Sequence, residues 1–396
     1  MKVVALHTDF RIYWPARLEA LSHALLKRGD YFDVIEIAGK GSNYSFANKS
    51  AHLNIKWHVL FPDSSPEDLS GKEIEPKLFS LLNKLKPDVI IAGAIAFPSG
   101  ALAVRWGQLH NTKIIIFDDS KIEAVKRNPL VNFIKQSVYN GVDALFLPAD
   151  DWISTGQFWK FTEERMFFGV DVVDNDFWNQ SEDKFNTYGN YFIAVGRQIA
   201  AKNFLGVMKA YALYTKKIGF DKAYNLILIG EGPERTLIED CIKENKLENK
   251  VYLLPFRPQY ELIRLYQNAK ALCIASKNET WGLVINEAMA AGCPIFASRQ
   301  CGATNILVKE NVNGYSFDCD DIEELSRKMT EFTLLSVQKQ LLFRKSSQEI
   351  ISQWGLQRFC NGAISAIDFV QSSFKHKPNI LGKIIISRWK GQYKPI

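Results

Sequence analysis

Short apolar runs alternate with amphipathic stretches along nearly the whole chain. In the first part, residues 2–7, 31–37, 55–61, 88–92, 113–117, 143–147 and 165–168 read as strands. They are continuous Val, Ile, Leu and Phe runs rather than in–out alternations, which predicts strands covered on both faces, as in parallel sheets. Helical patterns lie between several of them, such as 15–28, where Leu18, Leu21, Leu25 and Leu26 recur at helical spacing. Residues 169–189 turn polar and irregular and read as a linker. Beyond it the alternation restarts, with strands expected at 191–195, 225–229, 251–254, 271–275 and 294–297, and from about 322 the pattern is helical. Two βαβ series across a linker predict an α/β chain of two Rossmann-like, doubly wound domains facing a cleft, with a helical C-terminal segment. The expected division is 1–168, a linker at 169–189, a second domain at 190–360 and a helix with a basic tail at 361–396.

Composition narrows the class. A chain of 396 residues fits two to three domains, and 47% hydrophobic with 12% aromatic content excludes a disordered chain. The net charge of +6 is too mild for a dedicated nucleic-acid binder, so no nucleic-acid partner is expected. Six cysteines without a C-x-x-C pair argue against a disulfide framework or structural zinc and for a reducing compartment. The opening MKVVALHTDF is too short an apolar run for a signal peptide. The weakly polar stretch 89–104 is broken by Gly93, Pro98, Ser99 and Gly100, short of the ~20 apolar residues of a membrane span. A soluble, cytoplasmic protein is the expectation.

Three motifs carry chemistry. GEGPER (230–235) follows the strand NLILI and begins like a dinucleotide fingerprint, but Arg235 stands at the third glycine, so a tight turn without ligand is an equal reading. In VGRQIAAKNF (195–204), Gly196 at a strand end permits close backbone approach, while Arg197 and Lys202 offer a bidentate grip and a point charge for a phosphate. The alternative is two solvated surface cations. In SKNETWGLVINEAMAAGCPIFAS (276–298), Glu279 lies in a loop and Glu287 in the second turn of a helix beginning near Gly282. The amides near Gly282, Leu283 and Val284 make an anion site, and the two carboxylates suit hydroxyls: Glu287 a vicinal diol such as ribose, Glu279 a sugar. The bland alternative makes Glu279 a helix-terminal acid and Glu287 a surface residue. Together these groups form a receptor for a nucleotide diphosphate sugar.

These residues resemble the retaining glycosyltransferases of the GT-B fold, family 4 group, of the bacterial cell-envelope glycan type. The marks are VGR…KN, GEGPER, the E-x7-E block ETWGLVINEAMAAGCPI, NGYSF (313–317), and GVDVVDNDFW, with Phe168 where the family has Asn. The resemblance is close over the second half and loose over the first. It implies a donor, UDP-, GDP- or ADP-linked, held by the second domain, and a glycan or lipid-linked acceptor on the first. It also implies retention of anomeric configuration. Arg197, Lys202 and Glu279 would be catalytic. Gly196, Gly230, Gly232, Gly282, Leu283, Val284 and Glu287 would bind the donor. The chain departs from the family pattern in three places. The loop HTDFRIYWPARL lacks paired glycines, Asn305 replaces a frequent glutamate, and Asp118-Asp119 stand where many members carry His-Asp. Asp118 and Asp119 are the acceptor-side candidates, with a helix-capping role as the alternative. A nucleotide-sugar 2-epimerase and a non-catalytic donor-binding subunit are the competing classes.

No cofactor or metal is expected. Asp174-Asn175-Asp176 lies in the linker and Asp318-Cys319-Asp320 precedes a helix, where acids serve as caps. Residues 371–396 carry six Lys or Arg and no acid, with Leu381, Ile384, Ile385 and Trp389 at helical spacing. This basic tail suits either peripheral contact with the inner face of the cell membrane or packing on the first domain.

Overall fold

The structure, a computed structural model, describes residues 1–40, 55–123, 128–180 and 186–392. The chain forms two compact units, one of Met1–Val172 with Leu356–Ile396, the other of Val173–Gly355.

The first unit contains β1 (Lys2–His7), β2 (Tyr31–Ala38), β3 (Lys56–Phe61), β4 (Val89–Ala92), β5 (Lys113–Phe117), β6 (Ala144–Leu147) and β7 (Met166–Phe168). They form one parallel sheet in the order β3-β2-β1-β4-β5-β6-β7, with Lys2 beside Tyr31 and Val3 beside Val89. The inner strands are buried along their length, as their unbroken apolar runs require. Strand β3 lies at the edge, is only half-buried, and begins with Lys56, a residue type that discourages edge pairing. Helix Trp14–Lys27 buries Leu18, Leu21 and Leu25 against the sheet.

Helix Leu356–Ser372 joins the same core through Phe359, Ala363, Ala366, Ile367 and Val370, an i, i+4, i+7 stripe. Its Gly362 faces β7 so closely that a Cβ would overlap the Phe168 carbonyl oxygen. The segment after it stays on this unit. Lys375 pairs with buried Asp143 at 2.5 Å, the His376 amide donates to the same carboxylate at 2.9 Å, and Lys390 pairs with Glu75 at 2.5 Å. Trp389 Nε1 donates to the Ile95 carbonyl at 2.7 Å. The tail therefore packs on the first unit; its Lys394 lies outside the described residues.

The second unit contains β8 (Tyr191–Val195), β9 (Asn225–Ile229), β10 (Val251–Leu254), β11 (Ala271–Ile274), β12 (Ile295–Ser298) and β13 (Gly314–Phe317). Their parallel order is β10-β9-β8-β11-β12-β13. Strand β13 was not foreseen from the apolar pattern, because GYSF is short and half polar. Gly314 lets it approach β12, where a Cβ would overlap the Ile295 carbonyl oxygen. In the polar stretch 169–189, Val170, Val172 and Val173 are buried and Asp174 caps the short helix Asn175–Trp178; residues 181–185 lie outside the described residues. Among the described residues no helix is long and apolar enough to cross a membrane.

Candidate functional site

In each sheet the strand order runs outward in one direction from the first strand and then in the other from the fourth, which puts a topological switch point between β8 and β11 in the second unit. Doubly wound sheets bind ligands at the carboxyl ends of the strands beside such a point. Gly196 and Arg197 directly follow β8, and Glu279 and Gly282 follow β11.

The two loops are tied together. A 3₁₀ turn, Ala200–Lys202, ends at Asn203 in the left-handed region with φ +54°, and the Asn203 side chain donates to the Cys319 carbonyl at 2.9 Å. The Lys277 amide donates to the Ala201 carbonyl at 2.8 Å. This geometry brings the Lys202 ammonium onto Glu279 Oε2 as an ion pair, with Ser276 Oγ 3.3 Å from the same oxygen. The Glu279 backbone is itself bridged to the loop after β12, the Gly302 amide donating to its carbonyl at 3.0 Å. Lys202 and Glu279, expected to serve different parts of a ligand, thus neutralise each other here. The lysine is paired rather than solvated, and Glu279 is held in a bridged loop.

Gly282 starts helix Leu283–Ala290 in the left-handed region with φ +97° and no side-chain cap. Leu283 and Val284 are half-buried and occupy the first turn, whose amides an α-helix leaves without intrahelical partners. Glu287 is fully buried, not a surface residue. It accepts from the Tyr266 hydroxyl at 3.0 Å, and Tyr266 comes from helix Gln259–Asn268.

Gly230 and Gly232 are glycines for a packing reason. A Cβ on Gly230 would overlap the Gly196 carbonyl oxygen, and one on Gly232 the Gln198 carbonyl oxygen. The loops after β8 and β9 lie backbone on backbone, and buried Gln198 stitches them. Its amide donates to the Glu231 carbonyl at 2.8 Å, its Nε2 to the Gly230 carbonyl at 2.8 Å, and its carbonyl accepts from the Glu234 amide at 3.0 Å. Sequence reasoning passed over Gln198, whose signal was only its place between Arg197 and Lys202. Burial pushes the nearby Cys301 thiol up to about 12, so no thiolate nucleophile stands beside Glu279.

The first unit has its switch point between β1 and β4. Here His7 packs among Phe10, Trp14 and Phe117 at ring separations of 5.0–5.8 Å. Burial lowers its pKa to about 4, and Nδ1 has no partner among the described residues. Asp9 is raised to about 6, chiefly by burial, against the opposing pull of Arg11. Arg17, buried beneath Trp14, donates to the Val172 carbonyl at 2.9 Å and lies 3.8 Å from Asp171. Burial first, and the Asp119 charge next, raise Asp171 to about 7. Where paired glycines were missed in the sequence, Ile12 takes a left-handed φ of +58°, a strained setting for a β-branched side chain.

The two acceptor candidates differ. Asp118 is committed to its own loop, accepting from the Ser120 amide at 2.9 Å, Ser120 Oγ at 2.6 Å and the Tyr139 hydroxyl at 3.1 Å. Asp119 is exposed, and its carbonyl accepts from Trp152 Nε1 at 2.9 Å. Asp318, Cys319 and Asp320 bring potential ligand atoms within 4.8 Å of one another, but the acid capping the following helix is Asp321, not Asp318 or Asp320. Asp318 instead accepts from the Asp320 amide at 3.0 Å, and Lys277 pairs with Asp320 at 3.3 Å.

Comparison with known proteins identifies the fold. Among solved structures, Anabaena Alr3699/HepE in complex with UDP superimposes with a TM-score of 0.73 at 15% identity, over 93% of this chain and 100% of that one. The fold is that of the GT-B glycosyltransferases. Residues 176–348, which contain the whole β8–β11 site of this GT-B chain, match the family model described as glycosyl transferases group 1. N-acetyl-alpha-D-glucosaminyl L-malate synthase from Bacillus anthracis is 27% identical over 265 residues, 62% of this chain and 65% of that protein. A Campylobacter jejuni enzyme is also 27% identical, over 64% of this chain and 68% of its own length; it is a GalNAc-alpha-(1->4)-GalNAc-alpha-(1->3)-diNAcBac-PP-undecaprenol alpha-1,4-N-acetyl-D-galactosaminyltransferase. The chain thus spans just under two thirds of the first of these relatives.

Proposed function

We propose that the protein is a retaining, metal-independent glycosyltransferase that moves a hexose from a nucleotide diphosphate sugar to a glycan or lipid-linked glycan. The observation that carries this reading is the convergence of Lys202, Glu279 and the first-turn amides of Leu283–Ala290 beside one switch point. Similar structures bound to UDP and to UDP-glucose support a uridine donor in particular. Relatives acting on an undecaprenol-linked glycan and named alpha-monoglucosyldiacylglycerol synthase support a lipid-linked acceptor. Six cysteines, all buried and unbridged, support a cytoplasmic setting.

In this scheme the anomeric C–O bond breaks while negative charge gathers on the leaving diphosphate. Lys202, Arg197 and the amides of Leu283 and Val284 stabilise that charge most when it is fully developed. The existing ion pair gives the step an exchange. As phosphate takes the Lys202 ammonium, the Glu279 carboxylate is released to accept from hydroxyls of the hexose. Glu287, oriented by Tyr266, binds the ribose diol. Gly196, Gly230 and Gly232 let the phosphate-side loops stack, and Gly282 sets the helix start. On the acceptor side Asp118 and Asp119 are the assignments.

Screening UDP-, GDP- and ADP-linked sugars by thermal shift identifies the donor, because a ligand at 100-fold its Kd stabilises by about 2.7 kcal/mol. Labelled donor then separates the classes: glycosylated product supports transfer, an isomerised donor an epimerase, binding alone a donor-binding subunit. Lys202→Ala and Arg197→Ala should each lower kcat about 10²–10³-fold with a smaller effect on donor Kd. An equal loss in both would reduce the cations to ground-state binding. Chelation should leave turnover unchanged; loss restored by a divalent ion would remove metal independence.

A further inference from the structure

The tail does not present the single apolar stripe expected from its spacing. Helix Ile380–Arg388 turns Gly382 and Ile386 inward, Ile386 being 2% exposed, with Ile385 and Trp389 half-buried. Its inner face meets helix Pro129–Tyr139 and the turn after it. A Cβ on Gly141 would lie 3.0 Å from Ile386 Cδ1, and one on Gly382 3.6 Å from the Ser137 carbonyl oxygen. The solvent side is apolar as well: Ile380 is 79% exposed, Leu381 51% and Ile384 46%. Leu130 and Phe133 on helix Pro129–Tyr139 are also exposed. More than half of the large exposed apolar side chains described in the first unit belong to these two helices and the segment leading into the second.

The charges around this face have one sign. Neither helix contains Asp or Glu, nor does any residue from 371 to 392. Lys375 and Lys390 are used in pairing the tail to Asp143 and Glu75. Lys377, Lys383 and Arg388 are exposed and have no partner among the described residues. Ile380, Ile384 and Arg388 fall at i, i+4 and i+8, so the outward row is apolar and ends in a cation, with Lys377 preceding it. Apolar side chains outward, cations at the margin and no acid match a surface with a negatively charged rim over a hydrocarbon interior.

We propose that the outward face of Ile380–Arg388 docks the first unit onto an anionic lipid bilayer. Ile380, Leu381 and Ile384 enter the boundary between headgroups and acyl chains, while Lys377, Lys383 and Arg388 meet lipid phosphates. The inner face stays fixed to the unit through Ile386 and through the Trp389 bond to Ile95. Docking therefore needs no unfolding of the helix.

The test uses the full chain with phosphatidylcholine vesicles, with and without phosphatidylglycerol, in a flotation assay containing no donor or acceptor. Its failure would leave the transferase reading untouched. Binding is expected only to phosphatidylglycerol vesicles and should weaken as salt is raised. The double variant Ile380→Glu/Ile384→Glu should bind at least about tenfold more weakly. Replacing Lys377, Lys383 and Arg388 with Ala should cost about 100-fold, at about fivefold per cation. All substituted side chains are exposed, and unchanged melting curves would confirm that the variants fold. No flotation, equal binding to both vesicle types, or either variant binding like the parent chain would overturn the proposal. So would a parent chain that is dimeric in solution and becomes monomeric in the glutamate variant, which would make this face a contact between copies.

Discussion

The two units repeat one topology and furnish it with opposite chemistry. In each sheet the first strand is flanked by the second and the fourth, so the switch point falls between β1 and β4 and again between β8 and β11. Around the second lie a half-buried cation–carboxylate pair, stacked glycine backbone and an uncapped helix start. Around the first lie aromatic rings, an imidazole whose buried setting favours its neutral form, and a buried aspartate raised to about 7. Topology decides where a ligand can be received; side chains decide which charge it brings.

The largest test of that contrast is steric. Gly230→Ala forces a Cβ onto the Gly196 carbonyl at φ +128°, and strain plus overlap should cost about 3–5 kcal/mol in denaturant melts of the second unit. Gly196→Ala carries backbone strain at φ +152° but meets only Phe204 at 3.7 Å, and should cost less, about 1–3 kcal/mol. If the two variants melted alike, backbone stacking between the loops after β8 and β9 would not be what holds the second site.

That asymmetry also explains what the sequence made legible. The E-x7-E block, the strand-end cations and GEGPER carry their chemistry in local order, so the second unit's site could be assembled residue by residue. The apolar runs likewise gave the strands, because burial on both faces leaves an unbroken Val/Ile/Leu signature. Three features were not local. The pairing of Lys202 with Glu279 joins residues 77 apart in sequence. The docking of Leu356–Ser372 in the first core depends on which sheet its stripe meets, and periodicity is silent on that. The close packing of Gly230 and Gly232 depends on carbonyls from a neighbouring loop, which the motif GEGPER does not contain. In the first unit His7, Asp9 and Asp171 gain their properties chiefly from burial, for which no spacing gives notice.

The second test is pH, and it addresses the first unit. His7 has a folded pKa near 4 against about 6.5 unfolded. The unfolded chain therefore binds the extra proton, and stability is full above about 6.5 and lost as pH falls toward 4. Asp171 runs the other way: raised to about 7, it holds its proton when folded, so stability is full near pH 4 and lost as pH rises to 7. The effects are worth at most about 3 kcal/mol for His7 and about 4–5 kcal/mol for Asp171. Between pH 4 and 6.5 the His7 slope opposes those of Asp171 and of Asp9, which is raised to about 6. Relative to the parent chain, Asp171→Asn should tilt the stability profile upward with pH over that range, and His7→Phe should tilt it downward. Hydrogen exchange of the β1 amides is the readout, since it isolates this unit. The second unit contains no histidine to mimic the first effect. Identical profiles for the two variants would break the account of the first crevice.

The smallest effect compares one hydroxyl in each unit. Tyr266 donates to Glu287 at 3.0 Å, and Tyr139 donates to Asp118 at 3.1 Å. Both partners are carboxylates, but Asp118 also accepts two bonds from Ser120, whereas Glu287 is buried inside its helix. Tyr266→Phe withdraws a donor from a buried acid and should cost about 1–2 kcal/mol; Tyr139→Phe should cost about 0.5 kcal/mol or less. The functional consequence should divide the same way. If Glu287 holds ribose, its loss of orientation weakens donor in the ground and transition states alike, so Tyr266→Phe should raise donor KM several-fold with kcat nearly unchanged. A fall in kcat without a change in KM would move Glu287 from ribose binding to the reacting sugar.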